Sequence, residues 1–300
     1  MKKIVSSLFA LTALGATAQA ADLGAMKAAP AAPAYVSPWD YAIGASLKSD
    51  YNFRGISQSD RGAGVSGYGE LRYNFTDTVQ GYAGLAGSSV KLPTKPTMEL
   101  DVYGGVRPTF GNLALDFGAI GYIYPKEQAI LVGNGFGGAF INPANPLGYA
   151  TVSNTDFFEL YGKAAYTIND MFTVGANLFW SPNYLQSGAS GTYASLTGKV
   201  TLPANFAVSG EFGRYWLGTS NAFLGNFNYP DYNYWNAGLS YSYKFATLDL
   251  RYHDTNLNKS QCFAITTDPR GISNGTGRSN WCGAAFIASL SFDLTSKDIK

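Results

Sequence analysis

Residues 98–110 read MELDVYGGVRPTF. Met98, Leu100, Val102, Gly104, Val106, Pro108 and Phe110 alternate with Glu99, Asp101, Tyr103, Gly105, Arg107 and Thr109. A strand turns successive side chains to opposite faces, so one face of this stretch is apolar and the other carries three charges. Two solvents suit that pattern. In a soluble sheet the apolar face meets a core and the charged face meets bulk water. In an outer-membrane barrel lipid touches the apolar face and a wet lumen touches the charges. The rest of the chain decides between them.

The same alternation recurs about twelve times, over 41–51, 65–75, 79–87, 98–110, 113–124, 157–167, 172–181, 192–202, 206–216, 235–243, 247–254 and 282–294. After a first loop at 52–64, the connections alternate in length. Thr76–Thr78, Gly111-Asn112, Ile168–Met171, Pro203–Asn205 and Lys244–Ala246 are short, whereas 88–97, 125–156, 182–191, 217–234 and 255–281 are long. Short periplasmic turns opposite long external loops, with both termini on the turn side, are the signature of a transmembrane antiparallel up-and-down β-barrel. A soluble sandwich has no reason to keep that rhythm. The expected fold is therefore all-β, a barrel of about twelve strands over residues 40–294.

Composition agrees. Charged residues are 14% of the 300, aromatics 15%, with 35 Gly and 21 Tyr, against about 25% charged in typical soluble domains. A mean hydropathy of −0.06 is too polar for a bundle of membrane helices. The formal charge of +1 gives no basic surplus for a nucleic-acid partner. Lys2 and Lys3, an apolar run and Ala18-Gln19-Ala20 read as a secretory signal peptide over 1–20. An Ala/Pro-rich leader follows over 21–39, and 295–300 forms a C-terminal tail. Export places the chain in the outer membrane, among lipids, lipopolysaccharide and the barrel-assembly machinery. In an oxidising compartment the only two cysteines, Cys262 and Cys282, pair as a disulfide worth on the order of 3 kcal/mol.

The polar phase of the strands supplies the candidate pore-lining residues. These are Glu70, Arg72, Glu99, Asp101, Arg107, Asp116, Glu159, Lys163, Lys199, Glu211, Asp249 and Arg251, with Lys48 and Asp50 at the end of the first strand. Arg or Lys on the lipid face costs about 2–4 kcal/mol at midplane. Arg214 falls in the apolar phase, which implies a bulge at Gly213 or a strand already clear of the membrane. Trp39, Tyr41, Tyr122, Tyr124, Trp180, Tyr215, Trp216, Tyr232, Tyr234, Trp235, Tyr241, Tyr243 and Trp281 lie near strand ends, where aromatic girdles form. Tyr68 and Tyr103 fall inside. The expected activity is passive diffusion of small hydrophilic solutes through a mixed-charge lumen. The alternative is a non-conducting barrel that works as an adhesin or structural protein through its long loops. The 125–156 loop is the longest insert and is apolar enough to fold into the barrel and constrict it.

Other motifs carry less. Gly133–Gly138 matches GxGxxG by letter, but INPANPLG follows where a dinucleotide site needs a helix. His253, the single histidine, has Asp254 and Thr255 beside it but no serine suitably placed for a catalytic pair. No set of Cys, His and carboxylates has zinc or calcium spacing, so no metal, cofactor or enzymatic activity is expected.

Residues 49–60 read SDYNFRGISQSD. The run Ser49, Asp50, Tyr51, Phe53, Arg54, Gly55, Ile56, Ser57, Gln58 and Asp60 resembles the opening signature of the TorF family of porins, exported barrels of Gram-negative bacteria. The resemblance implies an outer-membrane porin and names no solute. Two features depart from it: the length of 125–156, and eight residues that continue past Phe292. Arg54 is expected at the mouth, either drawing anionic groups or pairing with Asp50 or Asp60 to order the loop.

Overall fold

A computed structural model describes residues 38–133, 149–296 and 298. The signal peptide, most of the leader and the centre of the 125–156 loop, with its GxGxxG letters, lie outside the described residues. Strands β1 (Trp39–Lys48), β4 (Gly64–Asn74), β5 (Val79–Ser88), β6 (Glu99–Phe110), β7 (Leu113–Ile123) and β10 (Phe157–Thr167) form the first half of the wall. Strands β11 (Phe172–Ser181), β12 (Gly191–Thr201), β13 (Phe206–Leu217), β14 (Tyr232–Tyr243), β15 (Ala246–Thr255) and β16 (Ala285–Thr295) form the second. Each pairs antiparallel with its neighbours, and β1 closes on β16 from Ala42↔Thr295 to Lys48↔Ser289. The result is a closed barrel of twelve strands.

Parity explains the wall. On β6, Glu99, Asp101 and Tyr103 are buried while Val102 and Val106 are 45% and 42% exposed. The same split runs around the barrel, with Leu47, Leu71, Leu85, Leu178, Leu196 and Leu250 all more than half exposed on the outer face. Turns at one end are short. Gly111 takes φ +58° in the two-residue turn between β6 and β7, a left-handed conformation that glycine adopts without a Cβ clash. The opposite end carries the long connections and is called the loop end below.

The β12–β13 register is continuous through Ala194↔Arg214 and Ser195↔Gly213, so there is no bulge at Gly213. Arg214 stays in the outward phase at the loop end, half-exposed, beside Asp231 at 3.4 Å and over the Trp216 ring. The position, not a bulge, explains its parity.

Several short elements stand outside the wall. Strands β2 (Asn52–Phe53) and β3 (Ile56–Ser57) make a tight hairpin, and β8 (Ile130–Gly133) pairs with β9 (Tyr149–Val152). Helices α1 (Lys259–Thr266) and α2 (Pro269–Ser273) lie in the connection from β15 to β16. Asn258 caps α1, accepting from the Ser260 and Gln261 amides while Gln261 reaches back to the Asn258 amide. Cys262 on α1 is bonded to Cys282 just before β16, with Cα atoms 5.7 Å apart, as the even cysteine count implied.

Candidate functional site: the barrel interior and its inserted hairpin

The β2–β3 hairpin stands at the loop end and folds inward rather than reaching out to solvent. Arg54 and Gly55, at its tip, have φ +47° and +88°, and the turn drives the Arg54 side chain into the barrel. There its two terminal nitrogens donate to the two oxygens of Glu159 on β10, at 2.6 and 2.8 Å. Arg54 is 3% exposed and Glu159 0%. The guanidinium also lies 4.4–4.9 Å from the ring centres of Phe53, Phe179, Tyr193 and Tyr215. Burial alone would lower its pKa, but the Glu159 carboxylate holds it well above the ordinary arginine value. Glu159 accepts further from Tyr122 at 3.0 Å and Tyr215 at 3.4 Å. A planar fork facing a carboxylate, stacked among rings, suits arginine and not lysine.

Arg54 therefore pairs with neither Asp50 nor Asp60, contrary to the reading from sequence. The Asp50 carboxylate accepts from Ser57 at 2.6 Å and Ser59 at 2.9 Å, with Arg61 at 3.4 Å. Burial raises the Asp50 pKa and lowers that of Arg61, so desolvation outweighs this longer pair on both sides. Asp60 accepts from Arg270 and from the Trp281 indole. Tyr51 donates to Glu99 at 2.5 Å and Gln58 bonds its own hairpin at Ile56 O. Gly55 packs so closely that a Cβ there would lie 2.1 Å from Thr255 Cγ2. The motif is the sequence of an inserted hairpin. Its periodicity is too short to show that; the only signal was an arginine beside a glycine just past the end of a strand.

The polar phase of the wall falls into further groups. Glu70 accepts a bidentate pair from Arg107 at 2.7 and 3.0 Å and a bond from Arg72. Arg72 reaches Asp40 and Arg107 reaches Asp116, so one network crosses β1, β4, β6 and β7. Tyr82 stacks 3.5 Å from Arg107 and donates to Asp116 at 2.5 Å. Arg251 bonds Asp249, Asn236 and Ser209 across β13 to β15. Glu211 accepts from Tyr193 and Asn236. Lys163 lies opposite Asp116 with its ammonium near the Tyr161 and Phe179 rings, and Lys199 sits between Thr173 and Ser209. Glu99 accepts from Tyr51 and Tyr124, while neither Asp101 oxygen has a hydrogen-bond partner. His253 shares a 2.8 Å bond with Tyr234. Among the described residues no three His, Cys, Asp or Glu are placed to hold a metal ion.

The aromatic reading needs correction. Trp39, Tyr41, Trp180, Trp216, Tyr241 and Tyr243 do face outward near strand ends. Tyr122, Tyr124, Tyr215, Tyr232, Tyr234 and Trp281 are buried inside instead. Tyr122, Tyr215, Tyr232 and Tyr234 occupy the same strand phase as the charges, and tyrosine serves there because its ring packs while its hydroxyl can reach a carboxylate. Inward glycines make room: a Cβ at Gly44, Gly84, Gly118 or Gly213 would meet a tyrosine of a nearby strand within 2.5 Å.

Structures with a similar trace include the COG4313 outer membrane channel from Pseudomonas putida F1, 11% identical, covering 87% of this chain and 97% of that one at a TM-score of 0.47. The NanC porin is 9% identical over 85% and 100% of the chains at 0.45. OmpT, an outer membrane protein of Vibrio cholerae, is 10% identical over 87% and 99% at 0.40. No curated protein matches. Residues 31–136, which include the inserted hairpin, match the profile of a family described as "Bacterial protein of unknown function (Gcw_chp)".

Proposed function

We propose that the protein is an outer-membrane channel of porin type, passing small hydrophilic solutes by diffusion along a mixed-charge wall that its first external loop narrows. The observation that carries this reading is the inverted barrel: apolar side chains exposed around the outside, and charged and hydroxyl groups gathered within. An apolar belt of that extent needs lipid, and polar groups on the inner face of twelve strands suit a lumen wider than that of an eight-strand barrel. Export, lipopolysaccharide contact and handling by the assembly machinery belong to the same reading. The Ser49–Asp60 motif supports membership of the TorF porins.

The Arg54 hairpin adds that the resting path is narrow. Planar-bilayer recording of the refolded protein in a salt gradient tests both statements. Small, stable conductance steps are expected from the native chain and larger ones from Arg54→Ala. A silent bilayer from both proteins, each shown to be folded by heat-modifiable gel mobility, refutes the channel and turns attention to the loop surface.

A further inference from the structure

We propose that a cavity of about 140 Å³ at the loop end is a binding site for one small, uncharged, apolar molecule about the size of a single aromatic ring. The inserted hairpin contributes Phe53 and Ile56 to its wall. The strand tops contribute Tyr124 and Phe157, and the long connections contribute Leu185 and Trp281. This proposal stands whether or not the barrel conducts.

Size and chemistry agree. A closed cavity of about 150 Å³ lined by aliphatic and aromatic side chains accepts benzene or xenon. This one matches it in size and has a largely apolar wall, but it is partly open, with Ser57, Thr94 and Thr155 among its lining. Most of the polar groups that touch this one are engaged elsewhere. Each Glu99 oxygen already accepts, from Tyr51 and from Tyr124. Ser57 donates to Asp50, and Thr94 and Thr155 both donate to Glu127. Ser187 donates to the Tyr184 carbonyl, and the Trp281 indole N–H is held by Asp60. A sugar or an ion would lose its hydration shell here and meet few free partners, whereas an apolar ring loses nothing by leaving water. The ligand would touch the hairpin on one side and the strand tops on the other. It therefore binds the docked hairpin better than the undocked one and stabilises it by mass action.

Fluorobenzene is the probe, observed by ¹⁹F NMR with the refolded full-length chain in detergent micelles. A saturable, protein-dependent shift beyond that of empty micelles is expected. Ala264→Phe, which places a ring into the cavity from α1, should abolish it while heat-modifiable mobility is kept. Leu92→Phe fills the same space from another loop and serves if the first variant fails to fold. Glucose at equal concentration should not compete. No shift beyond the micelle background overturns the proposal. So does a shift that survives in both folded variants, which would place the probe on the outer belt, or one displaced by glucose.

Discussion

Glu159→Gln tests the hairpin anchor while leaving the shape of the site almost unchanged. The native pair has two nitrogen–oxygen contacts of 2.6 and 2.8 Å, and both side chains are almost wholly out of water. The Coulomb attraction at 2.8 Å and an effective dielectric of 20 is about 6 kcal/mol, much of it offset by desolvation. Cutting one partner of such a pair leaves a stranded charge and costs about 3–5 kcal/mol. Glutamine keeps one acceptor oxygen and turns an amide N–H toward donors at the other. The four rings stay on Arg54, so the loss combines the missing charge with the hydrogen bonds of one oxygen. Hairpin opening should then rise by roughly two to four orders of magnitude. Hydrogen-exchange mass spectrometry of peptides covering 52–57 reads this directly, with the barrel strands as an internal reference. Arg54→Met combined with Glu159→Leu removes both charges and should recover most of the protection, a strong non-additivity. A change below about 1 kcal/mol in Glu159→Gln, or additive effects in the double variant, would refute the anchor.

Three further outcomes follow from the same geometry. Gly55→Ala, whose Cβ would collide with Thr255 and lie 2.9 Å from Tyr234, should unseat the hairpin while the strands keep their exchange protection. Reducing Cys262–Cys282 should remove on the order of 3 kcal/mol; limited proteolysis should then cut between residues 256 and 284 first, leaving gel mobility of the barrel intact. Leu250→Arg puts a charge on the outer face at the middle of β15, and urea unfolding in lipid vesicles should show a loss of about 2–4 kcal/mol. A loss near zero would mean that this face does not meet hydrocarbon.

The wall was legible in the sequence because a period of two is a local property. Glu99, Asp101 and Arg107 could be assigned to one face of β6 from β6 alone, and the twelve strands followed from repeating that step. The disulfide was legible because two cysteines leave one pairing. The destination of Arg54 was not, because its partner is 105 residues away on β10 and no spacing rule links them. The interior tyrosines were misread for a related reason: an aromatic near a strand end suits both the interface and the lumen. Only its parity relative to the charged residues separates Tyr215 from Trp216. The centre of 125–156 lies outside the described residues, and the 52–57 hairpin, which periodicity could not flag, enters the barrel.

The seat of the hairpin has a consequence for the order in which the molecule is made. Residues 52–57 emerge right after the first strand, yet their contacts are with Glu159 on β10, Tyr234 on β14, Thr255 on β15 and the Trp281 carbonyl just before β16. The contacts with Tyr234, Thr255 and Trp281 require the last strands, and pairings this distant are slow to form because loop closure precedes any reward. The complete seat of the hairpin therefore needs β14 to β16 in place. Its burial thus reports that the cylinder has been finished, and a barrel stalled before β14 would leave Arg54 and its aromatic neighbours exposed to whatever protease patrols the compartment.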